Sequence, residues 1–148
     1  MKYKSATEMK QAHQKMVHQF PIEFAFGQDQ FYAMMKDWNL SNGDDGKPTE
    51  DDISNIVSIG ACGFILKKDA AAYLEMMRTI TNEEKEFRAS RKNLTEEIYL
   101  AMQNVEYAIN PQADFDVCRE LGRTEEALKD PFFASCFKKA LKKYNAAT

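Results

Sequence analysis

The sequence predicts a mainly α domain of the α+β class. About six helices should enclose a small two-stranded β-ribbon, all in a single domain over residues 1–148. Three observations lead there. Apolar residues recur at helical spacing in separate stretches, as in Phe133, Cys136, Phe137, Ala140 and Tyr144. Helix-start signals stand in front of those stretches. Period-two alternation occurs only briefly, at Ile22, Phe24 and Phe26.

Ser5-Ala6-Thr7-Glu8 reads as a capping box, in which the serine oxygen takes a free backbone N–H and the glutamate reaches back. Met9, His13, Met16, Val17 and Phe20 then form one stripe, and Pro21 ends the helix. A half-buried strand follows over residues 22–26, with the two phenylalanines turned inward. Gly27 breaks it, and Asp29 opens a helix carrying Phe31, Met34, Met35 and Trp38. Residues 41–48 are a loop, flanked by Asp37, Asp44, Asp45, Glu50, Asp51 and Asp52. This is not a calcium loop: counted from Asp37, the glycine and final glutamate positions hold Asn42 and Pro48. Thr49 instead caps a short helix whose first turn is acidic, as the helix dipole favours.

Gly60-Ala61-Cys62-Gly63 marks a tight turn, and residues 63–67 form the second strand of the ribbon. A long helix starts at Asp69 and carries Tyr73, Met76, Met77, Ile80 and Phe87. Phe24-x-Phe26-x-x-Asp29 is echoed by Phe64-x-Leu66-x-x-Asp69, so two strand–turn–helix units should pair their strands. Asn93-Leu94-Thr95-Glu96 starts a helix with a stripe of Leu94, Ile98, Met102, Val105 and Ile109, ended by Asn110-Pro111. A short helix holds Phe115, Cys118 and Leu121 and stops at Gly122. Thr124 caps a turn with Ala127 and Leu128, and Asp130-Pro131 opens the last helix.

Charge and composition exclude several classes. Lys plus Arg is 20 against 23 Asp plus Glu, a net charge of −3. A dedicated nucleic-acid binder shows a basic excess, and a DNA mimic a nearly unopposed acidic surface. At 44% hydrophobic and 11% aromatic residues the chain is not disordered. No apolar run approaches the ~18 residues of a membrane span. The polar N-terminus is unlike a signal peptide, so a cytoplasmic protein without membrane contact is expected.

Cys62, Cys118 and Cys136 are widely spaced and form no CxxC pair, which argues for free thiols, with Cys118 and Cys136 in the core. His13 and His18 are five apart, on different faces of a helix, and cannot act as a metal pair. His13 is expected to be a partly buried structural residue. No metal site and no cofactor are nominated.

Four groups remain as candidate sites. Gly60, Cys62 and Gly63 could offer backbone N–H groups to an anion, but a strand separates them from the next helix and no Lys-Ser/Thr pair follows. Cys62 is the one thiol in a flexible setting. Glu106 and Tyr107 could exchange a proton in a cleft, yet no second acid stands at a helical partner position. Lys138, Lys139, Lys142 and Lys143 could touch nucleic acid, although cations late in a helix also complement its dipole.

Residues 20–26, followed by Gln30-Phe31 and Met34-Met35-x-x-Trp38, together with Ser58-Ile59-Gly60 through Gly63-Phe64-Ile65, Lys67 and Asp69, resemble a family of short uncharacterised proteins of gut bacteria, their phages and conjugative elements. The resemblance returns at Asn104-Val105-Glu106-Tyr107, where Val105 replaces a histidine of the family pattern. Ala61 and Cys62 interrupt the family's glycine run. The resemblance implies a bacterial cytoplasm and an accessory gene of a mobile element, with no activity attached.

The expected function is a non-enzymatic accessory protein that binds another protein, a second copy of itself included. Eight methionines and ten phenylalanines exceed the needs of a small helical core, and Met-rich surfaces suit adaptable contacts. The alternative is a small enzyme or ligand-binding protein with a pocket near Gly60–Gly63, Glu106 and Tyr107. Weak nucleic-acid association through the C-terminal lysines is a third reading, disfavoured by the acidic total.

Overall fold

The computed structural model describes residues 2–147. Among them run α1 (Ala6–Gln19), β1 (Glu23–Phe24), α2 (Gln28–Asp37), α3 (Glu50–Ile53), β2 (Ile56–Gly60), β3 (Gly63–Leu66), α4 (Ala70–Arg88), α5 (Arg91–Asn104), α6 (Ala113–Glu120) and α7 (Pro131–Ala147). Short 3-10 turns occupy Lys67–Asp69, Tyr107–Ile109 and Glu125–Lys129. The protein is 66% helical with a small antiparallel sheet, the class its sequence predicts. It divides into two compact units: Ala12–Ile80, and the chain up to Gln11 together with that from Thr81 onward. The divisions fall inside α1 and α4.

In the Ala12–Ile80 unit the sheet has three strands in the order β1-β3-β2, all antiparallel. The expected pairing of the two strand–turn–helix units is present, with Glu23 opposite Phe64 and Phe24 opposite Gly63. The sheet has one strand more than the expected two-stranded ribbon: β2, Ile56–Gly60, pairs with the other side of β3 because the turn at Ala61 and Cys62 folds the apolar run before it back onto that strand. The inside and outside of the β1 segment are inverted relative to the alternation. Ala25 is buried, whereas Phe24 and Phe26 are 54% and 71% exposed. The reason lies in the neighbours: Phe31, Met34, Met35, Trp38, Ile56 and Phe64 already fill the core around Ala25, leaving room for a methyl group. Phe24 lies instead over Gly63, where an added Cβ would come within 3.1 Å of its ring. A bare glycine backbone covered by an aromatic ring is a recurrent device in sheets.

α2 starts one residue before Asp29, with Gly27 as its cap. It stops because Asn39 adopts φ 58, so that the amide of Leu40 donates to the Met35 carbonyl and that of Asn39 to Lys36. Asparagine tolerates this left-handed geometry better than most residues. The capping box at Thr49 is present: its hydroxyl accepts from the Asp52 amide, and the Asp52 carboxylate accepts from the Thr49 amide. The Lys67–Asp69 turn delays the start of α4 to Ala70. His13 is buried and His18 exposed.

In the other unit the expected box at Ser5 is altered. The Ser5 hydroxyl accepts from the Glu8 amide, but the Glu8 carboxylate takes the amide of Lys4, not Ser5. Ala6 and Met9 pack on Phe87. The main core joins α5 to α7: Leu94, Ile98, Ala101 and Met102 meet Phe133, Cys136, Phe137, Ala140 and Tyr144. Cys118 and Cys136 are core residues, as expected. α7 starts as its sequence indicates, with the Phe133 amide donating to the Asp130 carboxylate at 2.9 Å. α6 ends at a left-handed Gly122 (φ 71), whose amide reaches Arg119 while that of Arg123 reaches Cys118.

Two boundaries of α5 differ from expectation. The cap is Ser90, whose hydroxyl accepts from the Asn93 amide, so the helix begins before Asn93. It ends at Asn104, well short of Asn110-Pro111. Glu106 takes φ 53 and turns the chain, and Asn110 Nδ2 donates to the freed Val105 carbonyl. Ile109, the expected last residue of the stripe, is therefore 78% exposed. Thr124 stands at the expected cap position, but its hydroxyl makes no capping bond.

Candidate functional site

Gly60, Cys62 and Gly63 form the β2–β3 hairpin. The two loop residues, Ala61 and Cys62, both have positive φ (51 and 61), the signature of a type I′ turn. That turn matches the twist of a hairpin, but it normally takes Asn or Gly, so Ala61 and Cys62 hold it at some conformational cost. The Cys62 carbonyl accepts from the Ala25 amide at 3.0 Å and ties β1 to the hairpin tip. The Cys62 thiol is exposed. These glycines thus serve backbone geometry.

Glu106 and Tyr107 lie in the other unit, at the turn after α5. Tyr107 packs its ring edge-on against Phe137 and Tyr144, at 6.2 and 5.9 Å between centroids. Its hydroxyl donates to Asp114 Oδ1 at 2.6 Å, not to Glu106. Burial, followed by the hydrogen bond to Asp114, pushes its pKa up to about 12. Tyr107 is therefore a held proton donor at neutral pH and not a base. It borders an open groove of about 630 Å³ together with Asn110, Pro111, Phe115 and Glu125.

Asp52 anchors the acidic loop. Asp52 is 2% exposed, and its carboxylate accepts from the Asn42 amide (2.8 Å), Asn42 Nδ2 (2.6 Å) and the Thr49 amide (2.9 Å). The backbone donors Thr49 and Asn42 hold its pKa at about 2, down from 3.8. A carboxyl lowered on folding stabilises the protein above its unfolded pKa and loses that contribution as pH falls through the folded one. Amide protection at Asn42 and Thr49 is thus expected to be full above about pH 4 and to fade toward pH 2, followed by NMR hydrogen exchange. Asp52→Asn should abolish that pH dependence; an unchanged profile in the variant would show that Asp52 is not the titrating anchor.

The ionisable cluster that sequence reasoning missed is Arg88 and Glu97. Glu97 is fully buried and takes the Arg88 guanidinium in a two-point contact, Nε–Oε1 at 2.7 Å and Nη2–Oε2 at 2.8 Å. Arg88 Nη2 also lies 3.0 Å from Glu84, and Nη1 donates to the Leu121 carbonyl at 3.0 Å. Burial pulls the Arg88 pKa down, but Glu97 and Glu84 outweigh it and leave the guanidinium above its ordinary value. One signal was present in the chain: Glu97 stands between Leu94, Ile98 and Ala101 on an otherwise apolar face. Every polar atom of the contact is engaged within the protein, which marks a structural clamp.

Lys138, Lys139, Lys142 and Lys143 are all exposed on α7, and Lys143 lies over the Tyr99 ring at 4.3 Å. Among the described residues no group of three or more His, Cys, Asp or Glu is placed to hold a metal ion. No helix among them is long and apolar enough to cross a membrane.

A family model matches residues 5–143, nearly the whole of this architecture. The chain belongs to DUF7659, a family of unknown function. No curated protein and no solved structure matches it. DUF7659 membership covers both units, so the hairpin, the Arg88–Glu97 clamp and the lysine face all lie within the family's extent.

Proposed function

We propose that this DUF7659 protein is a non-enzymatic accessory protein that works by binding another protein, in the first place a second copy of itself. The observation that carries the reading is the pair Phe24 and Phe26. Their rings stack with centroids 6.2 Å apart and planes 5° from parallel, yet both are more than half exposed. Covering a phenylalanine side chain is worth about 1.5–3 kcal/mol, so two adjacent rings left in water favour a contact. Phe24 ends β1, an edge strand of the sheet, and Phe26 follows two residues beyond it. An antiparallel edge can pair with its own copy across a two-fold axis, and such a contact covers both copies' rings at once. The ionisable groups support a binding role over chemistry: Tyr107 is committed to Asp114, and Glu97 to Arg88. A bacterial cytoplasm and a mobile element or phage as the source follow from the sequence resemblance, and the genes on either side would test them.

Sedimentation velocity over a range of concentrations tests the binding mode. The wild type is expected to form a dimer. Phe24→Ser with Phe26→Ser should remain monomeric, with an unchanged circular dichroism spectrum because both rings are exposed. A wild type that stays monomeric at the highest concentration would remove the homodimer.

A further inference from the structure

We infer that the groove between the start of α5 and the middle of α7 binds the phosphate backbone of a nucleic acid. The groove has a volume of about 490 Å³ and is lined by Arg91, Lys92, Thr95, Glu96, Lys139 and Lys143. Four cations and one carboxylate thus border it; their aliphatic stems supply most of its surface, and all four cations are exposed. Among the described residues no ion pair neutralises any of the four. From Pro131 to the end of the sequence there are four lysines and no acidic residue.

Because α7 continues to Ala147, its last turn holds no cation and the helix dipole does not explain Lys142 and Lys143; nor does it explain Arg91 and Lys92. Those two are the first residues of α5, where the positive end of the dipole favours acids, and the first turn of α5 holds none. The fold therefore adds the N-terminal dipole of a 14-residue helix to two cations of its own and two from α7. Such an arrangement raises the local positive potential, which an anion relieves. Thr95 also lines the groove, although its hydroxyl oxygen lies below the accessible surface. Arg91 is pre-positioned over the Phe132 ring at 5.1 Å and bonded to the Ser135 hydroxyl. Lys143 is steadied by Tyr99.

A nucleic-acid backbone supplies what this surface lacks, namely repeated negative charge with acceptor oxygens and no donors. Lys138 and Lys142, exposed on α7 beside the groove, extend the positive track beyond a single phosphate. With a chain charge of −3, the binding is local and independent of sequence, not the mode of a strongly basic binder. The Phe24–Phe26 pair belongs to the other unit.

Fluorescence anisotropy of a labelled random single-stranded oligonucleotide, titrated with the full chain at graded salt, tests this. The wild type is expected to bind at low salt and to weaken steeply as salt rises. Lys139→Glu with Lys143→Glu should reduce affinity at least about tenfold and flatten the log–log salt slope by roughly 0.7 for each phosphate no longer neutralised. Lys67→Glu with Lys68→Glu changes net charge equally, far along the sequence, and should shift affinity less than about twofold. No binding at about 100 μM protein in low salt would overturn the proposal, since non-specific binding reaches that strength. So would equal losses in the two variants. Polyglutamate competing as well as unlabelled oligonucleotide would also overturn it, in favour of an acidic protein partner.

Discussion

Glu97→Ala is expected to destabilise the protein by about 3–5 kcal/mol, the range for breaking a buried ion pair from one side. Typical domains are stable by only about 5–15 kcal/mol, so the loss would be a large part of the whole. The cause is the stranded partner. Arg88 is 88% covered and makes its two shortest contacts to Glu97, so removing the carboxylate leaves a largely covered guanidinium with only Glu84 and the Leu121 carbonyl to hold it. Arg88→Met should cost a similar amount by stranding Glu97. Replacing both, Arg88→Met with Glu97→Leu, should cost much less than either alone, because no charge then remains unpaired. Urea unfolding of the three variants measures this. Additive losses would show that the pair is not the clamp its geometry describes.

Phe133→Ala is the second large effect, about 3–5 kcal/mol. Phe133 is fully buried where α7 begins, beside Phe137 at 6.4 Å between centroids, in the core shared by α5 and α7. Truncation removes the ring and leaves a cavity that two packed helices cannot close. Phe132→Ala, one residue away and only half-buried, should cost markedly less. Equal losses from the two would mean that α7 does not pack on its expected face.

α7 illustrates what the sequence makes legible. Asp130-Pro131 starts it, and one stripe of Phe133, Cys136, Phe137, Ala140 and Tyr144 is buried in full, because capping and periodicity are local properties. β1 illustrates the opposite. Alternation identified the segment but not which side faces inward, since that depends on Gly63, across the sheet, and on the side chains α2 supplies. The end of α5 depends likewise on a left-handed Glu106 that no propensity favours. Of the candidate sites, the lysines were visible as a run on one helix. The groove was not, because Arg91 and Lys92 join Lys139 and Lys143 only when α5 packs on α7. Arg88 and Glu97 meet for the same kind of reason, through the turn between α4 and α5.

The measurement that bears most directly on partner binding is amide hydrogen exchange of the wild type at low and high protein concentration. If copies meet edge to edge, protection should rise with concentration in residues 22–27 and stay level in β2, at the other edge of the sheet. Concentration-independent exchange at β1, or a rise confined to another segment, would contradict the assignment of Phe24 and Phe26 as the meeting surface.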